Sequence, residues 1–349
     1  MIRVLVVDDS PSVRAVLRRF LSRAGDLTVV GEAVDGERAV AMVADLAPDV
    51  VVMDLLMPVL DGFAAIERIM AQNPVPILVL SSRANRNQMQ VAFEAIRRGA
   101  IEVLPKPEDT ESWQLLAESL PDAVRAAAAA VPARAAGRAP RRAPRAVPTP
   151  PRRDRPLRWI AIGASTGGPA ALRELFLGLP AALPASVLIV QHIAAGFEAG
   201  LAEWLNKEFP HDIRLARAGE RPAPGAVRLA PSGAHLLLGP NGELRLDAET
   251  EAQRGHRPSV DALFLSCAEA SPRETAGVLL TGMGADGVLG LSALRAAGAL
   301  TVVQDEASSA VFGMPRVALE RGAADLALPP REIALWLARG VAGGGGAGA

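Results

Sequence analysis

Four charged side chains in the N-terminal third of the chain come at the ends of short apolar runs. They are three acids, Asp8, Asp9 and Asp54, and the basic Lys106. Because the carboxyl ends of parallel strands meet at one edge of a sheet, we expect the four groups to lie together. Three carboxylates in one pocket require a cation, and an all-oxygen site suits a hard ion such as Mg²⁺.

This group of residues predicts a phosphoryl-acceptor site. Asp54 would attack phosphorus, and the metal held by the three acids would neutralise the developing charge. Lys106 and the hydroxyl of Ser81 would hold the phosphoryl oxygens, with Ser82 as the alternative hydroxyl. Any one of these acids could be an ordinary loop residue on the surface, but that interpretation explains the set poorly.

A serine, a histidine and an aspartate follow three further apolar runs in the C-terminal half. Ser165 lies in a glycine-rich turn, His192 follows a buried-strand pattern, and Asp286 lies in a second glycine-rich turn. Ser165 would attack a carbonyl, His192 would take its proton, and Asp286 would orient the imidazole and stabilise its cation. Backbone N–H groups of the glycine turns, including that of Met283, are candidates for the oxyanion hole.

Each member of this second group has another interpretation when it is taken alone. Gly163-x-Ser165-x-Gly167 fits a nucleophile elbow, but a strand, glycine turn and helix also suit a phosphate cradle or an N-cap serine. His192 could be a loop histidine and Asp286 a helix cap. The chain order Ser, His, Asp differs from that of α/β-hydrolases, so the elbow motif does not imply that fold. Together the three favour acyl transfer.

Apolar runs that alternate with helical patterns must position both groups. The first half contains five such runs, which predict a parallel sheet covered on both faces: Ile2–Val7, Thr28–Glu32, Val50–Met53, Ile77–Leu80 and Ile101–Leu104. The second half repeats the rhythm and interrupts it with shorter runs around the turn Pro240-Asn241-Gly242, which predict a β-hairpin insert. Its runs are Trp159–Ile162, Val187–Val190, Val227–Leu229, Ala234–Leu238, Glu243–Leu246, Val278–Leu280 and Leu300–Val303.

A break in composition separates the two halves. Residues 123–156 are rich in Ala, Arg and Pro and hold one acid, Asp154, so they lack the apolar surface for a core. We predict a first domain over residues 1–122, a basic linker over 123–156, a second domain over 157–340 and a disordered Gly-rich tail over 341–349. The linker is either a solvated spacer or a docking segment for an acidic surface.

The first domain resembles a two-component receiver domain. The matching motifs are Val7-Asp8-Asp9-Ser10, Met53-Asp54-Leu55-Leu56-Met57-Pro58, Leu60-Asp61-Gly62 and Lys106-Pro107. The resemblance implies a flavodoxin-like (βα)5 fold and Mg²⁺-dependent phosphorylation of Asp54 by a chemotaxis histidine kinase. Leu56 departs from the polar or acidic residue often found there, and we expect it to alter hydrolysis of the acyl phosphate.

The second domain resembles the catalytic domain of chemotaxis protein-glutamate methylesterase. The motifs that carry the resemblance run in order along the chain: Ile162–Pro169, Gln191-His192, Ala230–His235, Arg257–Asp261 and Thr281–Gly287. The resemblance implies a doubly wound, mostly parallel α/β domain without a cofactor, in which Ser165, His192 and Asp286 are catalytic and Thr166 supports the histidine. It also implies that the receiver covers the crevice until it is phosphorylated.

The family therefore implies a phosphorylation-activated hydrolase of glutamyl methyl esters on methyl-accepting chemoreceptors. Methanol would be released, and some receptor glutamines would be deamidated. A catalytically silent adaptor and an esterase of a pathway unrelated to motility remain alternatives. A DNA-binding response regulator is disfavoured because the second half is too long for a helix-turn-helix unit and shows none. His235 and His256 are expected at surface or substrate-groove positions.

Composition excludes several classes of protein. Of 349 residues, 50% are apolar and 21% are charged, and the net charge of −1 does not suggest a nucleic-acid partner. The single cysteine, Cys267, excludes a disulfide framework. We predict a cytoplasmic location, because no run is long enough for a signal peptide or a membrane span.

Overall fold

The computed structural model describes residues 1–81, 86–130, 147–151, 154–253 and 255–341, apart from the side chains of 86–91. The chain divides into two compact units, Met1–Arg141 and Arg142–Ala349. The predictions for Ser82, for most of the linker and for the tail beyond residue 341 lie outside the described residues. Within the described residues, no helix combines the length and apolarity needed to cross a membrane.

The first unit alternates strands and helices, as the five apolar runs predict. Its elements are β1 Ile2–Val7, α1 Pro11–Arg23, β2 Leu27–Ala33, α2 Gly36–Leu46, β3 Val50–Asp54, α3 Gly62–Gln72, β4 Ile77–Ser81, α4 Arg86–Arg98, β5 Glu102–Pro105 and α5 Thr110–Ala128. The strands form one parallel sheet in the order β2-β1-β3-β4-β5. The predicted (βα)5 fold is confirmed.

Local sequence explains where the helices of this unit begin. Ser10, Asp35, Asp61 and Asp109 each occupy an N-cap and accept a hydrogen bond from a backbone N–H of the first turn. Helix α5 continues past the boundary predicted at residue 122 and ends at Ala128, because its apolar face, including Val124, stays buried.

The second unit is built on a larger parallel sheet. Its elements are β6 Trp159–Ala164, α6 Gly168–Phe176, β7 Ser186–Gln191, α7 Phe197–Glu208, β8 Asp212–Leu215, β9 Ala226–Leu229, β10 His235–Leu238, β11 Leu244–Asp247, α8 Val260–Ala270, β12 Thr275–Leu279, α9 Val288–Ala296, β13 Leu300–Gln304, α10 Met314–Glu320, β14 Leu326–Leu328 and α11 Pro330–Val341. Seven strands pair in the order β14-β13-β12-β6-β7-β9-β8. Strand β6, the first strand of this unit, therefore lies between β7 and β12, the arrangement of a doubly wound sheet.

The predicted hairpin is present as a separate two-stranded sheet. Strands β10 and β11 pair antiparallel, with His235 opposite Asp247. Strand β9 is not part of it: it pairs in parallel with β7 and β8 in the main sheet. Strands β8 and β14 were not predicted: charged residues interrupt the four positions of β8, and β14 has only three residues.

Candidate functional site

The first unit brings the predicted acids and the lysine to one edge of its sheet. Asp54 is the last residue of β3, Ser81 is the last of β4, and Lys106 directly follows β5. The Lys106 Nζ lies 2.5 Å from Asp54 Oδ2 and 2.7 Å from Asp8 Oδ2. The Asp54 Oδ1 accepts a hydrogen bond from the Leu55 N–H at 2.7 Å. The Asp54 Oδ2 is therefore the carboxylate oxygen that faces the ammonium.

The same edge offers a set of oxygen ligands. One carboxylate oxygen from each of Asp8, Asp9 and Asp54 can be chosen so that all three lie within 4.8 Å of one another. Asp8 and Asp54 are buried, whereas Asp9 is exposed. Hard oxygen donors of this kind, with one side open to water, fit Mg²⁺.

Burial and the contacts between Lys106 and the carboxylates shift the pKa values at this site in opposite directions. Burial raises the pKa of Asp8 despite the opposing effect of Lys106. Burial alone would lower the pKa of Lys106, but its hydrogen bonds to Asp54 and Asp8 outweigh that effect and raise it. The lysine therefore stays charged and offsets part of the repulsion between the two buried carboxylates.

The loop after Asp54 is exposed on both sides of Met57-Pro58. Leu56 is 67% exposed and Val59 is 79% exposed. The backbone of Val59 adopts φ = 67°, which is unfavourable for a β-branched residue. At the end of the loop Gly62 is required, because a Cβ there would lie 2.4 Å from the Asp54 carbonyl oxygen.

In the second unit, three neighbouring strand ends bring the predicted triad together. Ser165 directly follows β6, and its N–H donates to the Thr281 carbonyl beyond β12 at 3.0 Å. The His192 N–H, just after β7, donates to the Ala164 carbonyl at 2.9 Å. Asp286 lies in the loop between β12 and α9, where it is 3% exposed.

His192 and Asp286 form a direct pair. The His192 Nε2 lies 2.9 Å from Asp286 Oδ2. A carboxylate can only accept, so Nε2 carries the proton and the Nδ1 of the neutral ring holds a lone pair. This Nδ1 is buried and, among the described residues, has no hydrogen-bond partner. The base available to Ser165 is therefore Nδ1.

The Asp286 carboxylate is surrounded by donors. Oδ1 accepts from the Ser259 hydroxyl at 2.8 Å and from the N–H groups of Asp261 and Gly287 at 3.0 Å each. Oδ2 accepts from the Val260 N–H at 2.7 Å. Burial opposes ionisation, but the hydrogen bonds from His192 and from the start of α8 hold the pKa of Asp286 well below its usual range.

The serine and the histidine are not hydrogen-bonded to each other. Among the described residues, no hydrogen bond joins the Ser165 hydroxyl to the His192 ring, and none joins the Thr166 hydroxyl to it either. The Thr166 carbonyl instead accepts from the Thr281 hydroxyl at 3.0 Å. Hydrogen bonds between catalytic groups are often long or absent without substrate. The missing contact therefore does not argue against proton transfer from Ser165 to His192.

Two backbone N–H groups beside Ser165 could stabilise an oxyanion. A Cβ at Gly282 would lie 2.6 Å from Ser165 Cβ, so the Gly282–Met283 backbone runs against the serine. Among the described residues, the N–H groups of Thr166 and Met283 donate no hydrogen bond. The Met283 side chain is 51% exposed and borders the same turn.

Gln191 fixes the turns that carry Ser165 and His192, a contact that was not predicted. Its buried Nε2 donates to the carbonyls of Ser165 and His192 at 2.8 Å each. Gly168 makes room for it, because a Cβ there would lie within 1.9 Å of the Gln191 Oε1. The pattern Gln191-His192 was visible in the sequence, but it gave no reason to assign a contact to the glutamine.

Of the two histidines expected at surface or substrate-groove positions, His235 is not there, whereas His256 is exposed beside His192. His235 is buried, with a side chain that is 1% exposed. The His256 ring stacks on that of His192, with the centroids 4.0 Å apart and the planes 7° apart. Partial desolvation and the neighbouring His192 lower the pKa of His256. No spacing signal could reveal this stack, because it depends on the course of the loop before α8.

Comparison with known proteins agrees with this geometry. Residues 160–337 match the family model for the CheB methylesterase, and residues 4–117 match the model for the response regulator receiver domain.

Similar proteins align over nearly the whole chain. A Geobacter metallireducens protein named protein-glutamate methylesterase/protein-glutamine glutaminase 4 is 43% identical over 95% of this chain and 97% of its own. A Cupriavidus metallidurans protein named protein-glutamate methylesterase/protein-glutamine glutaminase 2 is 44% identical over 98% of this chain and 99% of its own. The crystal structure of the Thermotoga maritima CheB methylesterase catalytic domain has a TM-score of 0.50 and 36% identity, and it covers 52% of this chain and 97% of that one.

Proposed function

Because the chain belongs to the CheB methylesterase family and carries a receiver domain, we propose that phosphorylation at Asp54 activates ester hydrolysis at Ser165. The enzyme is a protein-glutamate methylesterase and protein-glutamine glutaminase that acts on chemoreceptors. It removes methyl groups from glutamyl esters as methanol and deamidates glutamines. The observation that carries the catalytic assignment is the hydrogen bond between His192 Nε2 and Asp286, which leaves Nδ1 as a base.

The proposed reaction passes through an acyl-enzyme. The Ser165 Oγ attacks the ester carbonyl while its proton moves to His192 Nδ1, and Asp286 stabilises the imidazolium through Nε2. The N–H groups of Met283 and Thr166 hold the oxyanion. His192 then gives the proton to the leaving methoxide, which departs as methanol. Water attacks the acyl-enzyme with the same histidine as base and regenerates Ser165.

The receiver supplies the proposed activating step. An oxygen of Asp54 attacks the phosphorus of a phosphohistidine on a chemotaxis kinase, so that an acyl phosphate forms and the imidazole leaves. Mg²⁺ held by Asp8, Asp9 and Asp54 would neutralise phosphoryl charge when bound. Lys106 and Ser81, which lie at the same edge of the sheet, would contact the phosphoryl oxygens.

Methanol release from a methyl-labelled receptor signalling fragment tests both sites. We would compare wild type, Ser165→Ala and Asp54→Ala, each with and without a small-molecule phosphodonor and Mg²⁺. We expect Ser165→Ala to be inactive, and Asp54→Ala to keep basal release but lose stimulation. If folded wild type released no methanol under phosphorylating conditions, a silent adaptor or a different receptor substrate would be favoured.

The proposed regulation is relief of occlusion. In its unphosphorylated state the receiver would cover the Ser165 crevice, and the acyl phosphate would weaken that contact. A fragment of residues 157–349 should then release methanol faster than the unphosphorylated full chain. A fragment that is folded by circular dichroism but slower than the full chain would contradict occlusion.

We propose a cytoplasmic location for this enzyme, because its proposed phosphodonor kinase and the receptor segments that it would act on must share its compartment. The same chemistry could serve a chemosensory pathway that controls something other than motility. Deletion of the gene, with swimming behaviour scored beside receptor methylation, distinguishes the two: a change in methylation without a change in swimming indicates the second pathway.

A further inference from the structure

His235 is a buried histidine outside the triad, and both of its ring nitrogens are used. Its Nδ1 accepts a hydrogen bond from the Ser259 N–H at 3.1 Å. Its Nε2 lies 3.2 Å from the Glu251 carbonyl oxygen. A backbone N–H can only donate, so Nδ1 carries no proton and the neutral ring must be protonated at Nε2. The two contacts therefore hold the ring in one tautomer and one orientation.

Ser259 connects this ring to the catalytic carboxylate. It is the N-cap of α8, and its hydroxyl donates to Asp286 Oδ1 at 2.8 Å. The next two N–H groups, of Val260 and Asp261, donate to the same carboxylate. These three donors share one stretch of backbone, so fixing Ser259 fixes all of them relative to Asp286.

Loss of the His235 acceptor would disturb that stretch. The Ser259 N–H would then be buried without a partner, since Ser259 is 0% exposed. An unsatisfied buried donor carries a large desolvation cost, and a small shift of the start of α8 toward another acceptor would reduce it. Such a shift would move the donors of Asp286, and with them the carboxylate that orients His192.

We propose that His235 is a positioning residue for the reaction, which holds Asp286 in line with His192 through Ser259. This inference rests on the triad proposed above. It links the β10–β11 hairpin to catalysis, although no residue of that hairpin reaches the triad directly in the described hydrogen bonds.

The chain offers a matched control in His211. This histidine also belongs to the second unit, is 5% exposed, and has its Nε2 3.1 Å from a carbonyl oxygen, that of Pro180. Its Nδ1 has no hydrogen-bond partner among the described residues. His211 thus shares the burial and the Nε2 contact of His235 but lacks the contact that leads to Asp286.

The test compares His235→Leu, His235→Asn and His211→Leu in the full chain. Asparagine places an amide oxygen at the position of Nδ1, so it keeps the acceptor for the Ser259 N–H. We expect His235→Leu to lower kcat for methanol release about tenfold, with KM changed less than about twofold. His235→Asn should recover most of kcat, and His211→Leu should retain it, while all three lower the melting temperature.

Equal kcat values in His235→Leu and His211→Leu would overturn the proposal. So would a His235→Asn variant that is as impaired as His235→Leu, because ring packing would then matter rather than the acceptor. If His235→Leu fails to fold, His235→Gln, which lacks an acceptor at the Nδ1 position, takes its place in the same comparison.

A spectroscopic measurement separates this inference from the proposed function. The His192 Nε2–H proton bonded to Asp286 should give a downfield NMR resonance, assigned by its absence from His192→Gln. We expect the resonance to broaden or shift in His235→Leu but to persist in His235→Asn and His211→Leu. If wild type releases no methanol, the function fails while this readout still decides the role of His235, and an unchanged resonance in His235→Leu would reject it.

Discussion

The two sites lie at equivalent edges of parallel sheets but are held by different forces. In the first unit, one ammonium, that of Lys106, holds the buried carboxylates of Asp8 and Asp54 together. In the second unit, Asp286 is held by His192, the Ser259 hydroxyl and three backbone N–H groups. The receiver site is an ionic cluster, and the esterase site is a network of neutral donors around one anion.

This difference appears in the pKa directions. The pKa of Asp8 is raised, mainly by burial, whereas the pKa of Asp286 is lowered by donors that outweigh burial. Burial therefore disfavours the ionised form of Asp8, and a bound cation would reduce that cost. Asp286, with its lowered pKa, is an anion at neutral pH, and its hydrogen-bond donors are in place without substrate. The arrangement around Asp8 suits a site whose charge changes when a cation or a phosphoryl group binds. The arrangement around Asp286 suits a carboxylate whose charge stays the same throughout the reaction.

The strongest way to break the second arrangement is Asp286→Asn. The amide can donate to the Nε2 of His192, which would move the ring proton to Nδ1 and remove the base for Ser165. We expect kcat for methanol release to fall about 10⁴-fold. The measurement is methanol release under phosphorylating conditions, and a loss below about tenfold would argue against Nδ1 as the base. Asp305→Asn, at the half-buried N-cap of the turn Glu306–Ser308, is the control.

His256→Ala tests whether the stacked ring contributes to the second network. An aromatic pair contributes on the order of 1 kcal/mol, so we expect kcat to fall about fivefold and His256→Phe to restore it. Glu251→Ala, an exposed position on the same loop, is the control. Equal activity of His256→Ala and Glu251→Ala would show that the stack has no role in turnover.

Leu56→Glu tests how open the ionic site is to water. The exposed leucine cannot orient a water molecule toward an acyl phosphate on Asp54, whereas a carboxylate can. We expect the lifetime of the phosphoryl group to shorten severalfold, measured by loss of radiolabel after the phosphodonor is removed. Leu115→Glu, another exposed leucine of the same unit, is the control. Equal lifetimes in wild type and Leu56→Glu would end the idea.

The smallest expected effect is on stability, and it should have opposite signs in the two units. Asp8 has a folded pKa above its ordinary 3.8, so its favourable contribution is complete below that value and is lost as pH rises through the folded pKa. Asp286 has a folded pKa below 3.8, so its contribution is present above that value and is lost as pH falls.

At pH 7, Asp8→Asn should therefore stabilise the first unit and Asp286→Asn should destabilise the second, each by about 1 kcal/mol. Native-state hydrogen exchange of peptides from β1 and from β12 measures the two units separately in one sample. A stabilising effect of Asp286→Asn would contradict the contrast between the sites.

Residues at strand ends were the part of both sites that the sequence could predict. Asp54, Ser165 and His192 follow apolar runs, and parallel pairing then places them at one edge. The sequence could not predict the contacts of Ser259, His235 and His256, because these contacts depend on where the hairpin and the following loop lie against the sheet. Periodicity describes an element's own faces and carries no information on that placement.

Edge strands of the second sheet were missed for a related reason. Strand β8 alternates charged and apolar residues over only four positions, and its Asp212 pairs with the buried Arg228 of β9. Strand β9 was predicted from Val227–Leu229 despite this arginine, whereas β8, which supplies its Asp212 partner, has no continuous apolar run. The core strands β6, β7 and β12 carry long apolar runs and were predicted within a few residues.

The position of β6 between β7 and β12 has a consequence for synthesis on the ribosome. The serine and histidine strands emerge early and can pair with each other, but the strand that leads to Asp286 follows more than 80 residues later and must add to the other side of β6. Domains fold as they are made, at about 5–20 residues per second. The nascent chain therefore holds the proposed nucleophile and base for several seconds without the carboxylate that orients the base, and the proposed triad is complete only when the second half of the sheet has formed.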